Sequence, residues 1–144
     1  MSNFKHDLAR GQKGEALLLA RFPSLVKTDG RSYDFVTTSG LKLETKFDST
    51  KYHNIFLEVI SNDNKQSPGG PFQSLQKQAD LFVYVFERDQ STYCYKVFDL
   101  IWFLFLNKDK YDQKKIYNKT YYSIGYAVPI ADLKHLEISL EGVV

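Results

Sequence analysis

Apolar residues along the chain repeat at two periods, and each period marks a different kind of element. Between residues 7 and 22, Leu8, Leu18, Leu19 and Phe22 lie on one stripe at helical spacing. That segment is predicted as a helix, with Asp7 as its N-cap and Pro23 just past its end. Residues 33–37 and 41–47 alternate as strands do, joined around Ser39-Gly40. Residues 55–60 form a third, nearly continuous apolar strand. The run Ser67-Pro68-Gly69-Gly70-Pro71 reads as a loop, and residues 72–79 as a short helix after it. Residues 81–86 and 92–97 form a second strand pair turning near Asp89-Gln90. Asp99 is expected to cap an aromatic helix over residues 100–106, followed by a strand at 121–128 and a helical turn at 129–136. The fold class this order implies is α/β, one central mixed β-sheet flanked by helices.

Composition leaves that picture standing. A chain of 144 residues fits a single domain over 1–144, and 43% hydrophobic content with ten Tyr and eleven Phe supplies a real core. Cys94 is the lone cysteine, which excludes an internal disulfide and a Cys-based zinc cage, and it reads as a core or half-core residue. His6, His53 and His135 lack zinc-ligand spacing and are read as surface or loop residues. The polar, mixed-charge start of the chain does not resemble a secretory signal, and residues 100–106 are too short to span a membrane. A cytoplasmic, intracellular location is the resulting expectation. The net charge of +2 says little about partners. The one basic segment, residues 108–119, reads as a solvated loop or helix face.

The candidate chemistry lies in the first strand pair. Alternation puts Lys42, Glu44 and Lys46 on one face and Leu41, Leu43, Thr45 and Phe47 on the other. A three-residue loop, Thr38-Ser39-Gly40, pairs Thr37 with Leu41 and so sets Asp34 opposite Glu44, with Gly40 in a left-handed conformation. A two-residue loop would put the two acids on opposite faces. Adjacent carboxylates repel, and a divalent cation with hard oxygen ligands relieves both. Such a cation polarises a phosphodiester and acidifies bound water, and a neighbouring lysine steadies the developing charge.

An acid-x-Lys triplet alone carries little information. Asp63-Asn64-Lys65, Asp112-Gln113-Lys114 and Asp132-Leu133-Lys134 repeat it, but none lies in an alternating strand with a second acid placed upstream by a tight turn. The competing interpretation is an exposed strand face with ordinary salt bridges. Glu15 lies along the helix's apolar stripe, where a charge needs a partner or a metal, or else at the stripe's edge reaching water. Glu58 interrupts the apolar run at 55–60 and either faces water from a half-buried strand or, the reading preferred, sits at the edge of the same site.

These residues resemble the PD-(D/E)xK nuclease superfamily, whose core is a helix, a three-strand meander, a helix and a further strand. The resemblance covers residues 7–86 and implies a restriction-endonuclease-like core. It would put the family's helix glutamate at Glu15, its first metal acid at Asp34 and its acid-x-lysine at Glu44 and Lys46, with the Thr45 carbonyl as a further metal ligand. Tyr33 stands where the family often has proline. The stretch Asn54 to Glu58, the Gly-rich loop and Lys77-Gln78-Ala79-Asp80-Leu81 also resemble small phage and bacterial nucleases. On that likeness Gln73, Ser74 and Lys77, together with Lys42 and Lys51, are the expected nucleic-acid contacts.

The activity implied is Mg²⁺-dependent hydrolysis of DNA, with Mn²⁺ able to substitute, by an endonuclease of junction-resolving, nicking or repair type. Relatives of this fold usually act as dimers. The late aromatics, Trp102 and Phe103 among them, are therefore weighed as a homodimer face against a core role, and core is expected. A non-catalytic nucleic-acid- or partner-binding module on the same fold is the rival reading.

Overall fold

The twenty residues from Ser2 to Arg21 contain no proline and form one helix, α1. It begins before the expected cap, so Asp7 lies within it, and Pro23 follows its end as expected. The molecule is described by a computed structural model over residues 2–29, 33–48 and 53–144, with the side chains of residues 2–10 outside the description.

Three strands follow α1: β1 (Val26–Lys27), β2 (Phe35–Val36) and β3 (Lys42–Asp48). They pair antiparallel in sequence order. β4 (Asn54–Asn62) then leaves this sheet and pairs with β5 (Ser67–Pro68). After α2 (Gly70–Gln76), β6 (Leu81–Phe86) returns to lie parallel to β3, and β7 (Thr92–Lys96) turns back antiparallel to β6. The chain continues through α3 (Val97–Asn107), β8 (Gln113–Tyr117), β9 (Tyr122–Pro129), α4 (Ile130–Leu133) and β10 (Glu137–Ile138).

The result is mixed α/β, but with two sheets instead of the one expected. A six-stranded mixed sheet runs β1-β2-β3-β6-β7-β10, and a four-stranded sheet runs β5-β4-β9-β8. The reason is edge occupancy. β3 is hydrogen-bonded to β2 on one side and β6 on the other, so it has no edge left for β4. β4 instead pairs with β9 and buries Ile55 and Leu57 beside Val128.

Two cores result, on opposite faces of the six-stranded sheet. On one, Leu18 and Phe22 of α1 pack with Phe35, Leu43, Leu81, Val83 and Cys94. Helix and strand come very close there: a Cβ on Gly14 would overlap the Phe47 ring at 2.1 Å. On the other face, Phe82, Tyr84 and Tyr95 meet Ile55, Leu57, Val128 and the inner side of α3.

Helix α3 divides its aromatics by periodicity. Phe103 is buried with Leu100 and Leu104, whereas Trp102 faces outward with Phe98, Phe105 and Leu106. The core expectation therefore holds for Phe103 and fails for Trp102, which stacks on Phe105 with ring centroids 5.6 Å apart. Asp99 lies in the first turn of α3, where it favours the helix dipole, but Lys96 occupies the cap position. Cys94 is buried, while His53 and His135 are exposed. Among the described residues no helix is long and apolar enough to cross a membrane.

Gly70 joins the two layers. Its φ is +50°, and a Cβ there would stand 2.6 Å from the Glu58 carbonyl oxygen. Gly70→Ala should therefore destabilise by about 2 kcal/mol through strain and overlap. Gly11→Ala, in open helix, should stabilise by up to about 1 kcal/mol. Urea midpoints of the two variants check the contrast, and equal shifts would refute it.

Candidate functional site

The site is built by the β2–β3 hairpin. Phe35 pairs with Leu43 and Val36 with Lys42, which carries Asp34 to the level of Glu44. The Thr37 N–H donates to the Leu41 carbonyl at 2.9 Å, and Gly40 turns the loop with φ +93°. This is the register that the three-residue loop demands. Leu43 faces α1 and is fully buried, so Lys42, Glu44 and Lys46 are directed to the opposite face.

Asp34 is held in place from β3. Its Oδ2 accepts from the Thr45 N–H at 2.8 Å and from the Thr45 hydroxyl at 2.7 Å. Residues 41, 43 and 45 direct their backbone polar groups toward β2, whereas Lys42 and Asp48 give their carbonyls to the β6 side. By that alternation the Thr45 carbonyl points to the Asp34 edge.

Glu44 is the electrostatic centre. Its side chain is 15% exposed, and Lys77 Nζ of the segment after α2 lies 3.5 Å from its Oε1. Its Oε2 is buried with no hydrogen-bond partner. Burial pushes this carboxyl up, and the charge of Asp34 adds to the effect. Lys77 pulls the other way by less, and the net result is a pKa raised to about 7.

Glu58 forms the far side. Burial raises its pKa, while the Lys46 ammonium and the Ser123 hydroxyl pull it down. Gly69 packs directly on the Glu58 side chain, where a Cβ would stand 2.3 Å from Oε1. Lys46 itself is exposed, one step beyond Glu44 on the same face. Asp34, Glu44, Lys46, Glu58 and Lys77 are thus brought into one neighbourhood by contact or charge.

The other expected residues have partners or burial of their own. Glu15 is half-buried and paired with Lys27 of β1 at 2.5 Å, so its predicted partner is a lysine. Ser74 is fully buried, and its hydroxyl donates to the Gly70 carbonyl at 3.1 Å. A buried helical serine that bonds back one turn presents no free hydroxyl at the surface for the nucleic-acid contact expected of it. Gln73 is half-buried on α2. The Lys42 N–H donates to Asp80 at 2.9 Å, and its ammonium lies 5.4 Å from the Tyr33 ring centroid. Lys51 lies outside the described residues. Sequence reasoning missed the Thr45 hydroxyl, because alternation assigns that side chain to the other face, and it missed the Lys77–Glu44 ion pair.

The donor set suits a hard divalent cation. Among the described residues no three or more His, Cys, Asp or Glu gather as a cation cage. Two carboxylates and a backbone carbonyl are nevertheless all oxygen donors, and the Glu44 Oε2 lacks any partner. No known protein family matches the chain, and no functionally curated protein matches it either.

The raised Glu44 pKa makes stability depend on pH. The folded protein keeps this proton to about pH 7, while an unfolded glutamate releases it near 4.5. Between those values the folded state binds more protons, so stability falls as pH rises through the window. In chelator, raising the pH from 4.5 to 7.5 should cost up to about 3 kcal/mol. Urea titrations over that range should show Glu44→Gln removing most of the slope; an unchanged slope would assign it elsewhere.

Proposed function

We propose that the chain is a metal-dependent nuclease hydrolysing DNA phosphodiester bonds, an endonuclease of junction-resolving, nicking or repair type. The observation that carries this reading is the Asp34–Glu44 pair, two interacting carboxylates with a buried oxygen of Glu44 left without a partner. The fold supports it as well. A helix, the antiparallel β1-β2-β3, the helix α2 and then β6 parallel to β3 follow the order of a restriction-endonuclease-like core. In that correspondence β1 takes the meander position expected for residues 55–60, and β4 and β5 are an excursion from it.

A divalent cation, Mg²⁺ or Mn²⁺, bound by Asp34, Glu44 and the Thr45 carbonyl would supply Lewis acidity and an acidified water. The chain's own residues prepare for this. Thr45 fixes the Asp34 carboxylate with two hydrogen bonds, which removes rotamer freedom before any ligand arrives. Burial keeps Glu44 protonated near neutrality until a strong cation competes for its oxygens. Lys46, exposed on the same face, would orient a water and hold charge on a phosphate oxygen. Lys77 balances Glu44 and is free to swing to a phosphate when that carboxylate is neutralised otherwise.

One observation favours the rival, a non-catalytic binding module: the Lys77–Glu44 ion pair already supplies a positive charge at the centre. Cleavage decides between them. Labelled duplex, single strand, flap, four-way junction and RNA are incubated with Mg²⁺, Mn²⁺ or EDTA. Metal-dependent cutting is expected, reduced about 10²-fold or more in Lys46→Ala and in Glu44→Ala. No cutting of any substrate, with nucleic-acid binding unchanged in both variants, would replace the nuclease by the binding module.

A further inference from the structure

The densest positive charge of this chain lies in one short segment. Residues 108–119 hold five lysines, at 108, 110, 114, 115 and 119, against Asp109 and Asp112. That is a surplus of three charges in a chain whose total is +2, so the remainder is slightly acidic. The middle of this segment is β8, which ends the four-stranded sheet and is exposed along its whole length.

Register connects β8 to the site. Lys114 pairs with Gly125 of β9, and Gly125 pairs with Glu58 of β4. Residues directly opposite across antiparallel strands share a face, so Lys114 and Glu58 lie on one face, two strand spacings or about 10 Å apart. Between them Gly125 presents no side chain. The Lys46 ammonium also acts on Glu58, and Lys46 lies two residues from Glu44 on β3. About 10 Å is the axial span of roughly three phosphates of one duplex strand. The opposite face of β8 combines Lys115 with Tyr117, whose ring meets that of Tyr122 at 5.2 Å, both exposed.

The geometry points to β8 and its flanking lysines as an arm that grips the phosphate backbone of a nucleic acid whose strand runs on to the Glu44 site. Lysine ammonium groups neutralise phosphates without reading sequence, and exposed tyrosines offer platforms for unpaired bases. The inference deepens the nuclease reading and rests on it for the direction of the strand. Lysines on an edge strand also guard against strand addition, a role that requires charge but no ligand.

Anisotropy of labelled single-stranded and duplex DNA, in EDTA and over a range of salt, separates these roles. Lys114→Ala/Lys115→Ala should weaken binding about 10-fold at 0.1 M salt. It should also lower the slope of log K against log salt by about 1.4 for single strand and about 1.8 for duplex. Lys108→Ala/Lys110→Ala should act likewise, whereas Lys134→Ala, outside the arm, should not. Unchanged slopes in both double variants, an equal loss in Lys134→Ala, or dependence on the arm only for anionic lipid vesicles would overturn the proposal. Cleavage is read separately. Arm-dependent binding without metal-dependent cutting sinks the nuclease reading and keeps the arm; cutting with arm-independent binding does the reverse.

Discussion

Strand β3 is hydrogen-bonded on both sides, antiparallel to β2 and parallel to β6, and its strict alternation divides the molecule. Leu43 and Phe47 turn toward α1, while Lys42, Glu44 and Lys46 turn toward the second sheet. A slip of one residue would exchange these sets, burying lysines against Leu18 and presenting leucine to the site. The register is therefore protected by the cost of burying charge as well as by its hydrogen bonds. The same double pairing excludes β4 from the sheet, and β4 then carries Glu58 to the site from a different layer.

Some of this was legible in the sequence because short-range geometry determines it. Three loop residues, the last a glycine, leave one register for the β2–β3 hairpin, and alternation then assigns Glu44 and Lys46 to a common face. The destination of β4 was not legible. A continuous apolar run announces burial but does not say which sheet receives it. β8 was invisible for the opposite reason: Gln113-Lys114-Lys115-Ile116-Tyr117 has no buried face, so its strand character comes from pairing with β9 alone. Trp102 and Phe103 are neighbours in sequence but about a quarter turn apart on α3, and composition could not separate the exposed ring from the buried one.

The partners of the charged groups were the least legible feature, because they depend on where long side chains reach. Glu15 needed a partner by periodicity, and Lys27 supplies it from a two-residue strand too short to be read. Lys77 follows α2 and turns inward to Glu44, although a lysine after a Gly-rich loop looks like a solvent-facing contact. In both cases the pattern set the need for a counter-charge, and only the packed elements determined which cation met it.

Lys77 does not satisfy Glu44 completely, and the geometry shows why. The ammonium approaches Oε1, while Oε2 on the inner side remains without a hydrogen bond. Asp34 adds a second negative charge, and its own Oδ2 already takes both donors that Thr45 offers. Lys77 meets Glu44 through Oε1, and the pair is left with burial and repulsion only partly compensated. The raised Glu44 pKa expresses that deficit as a proton retained near neutrality. A ligand that binds oxygen donors from both residues relieves burial and repulsion together. On the proposed nuclease reading, a divalent cation would offset more of that burial and repulsion than a monovalent one.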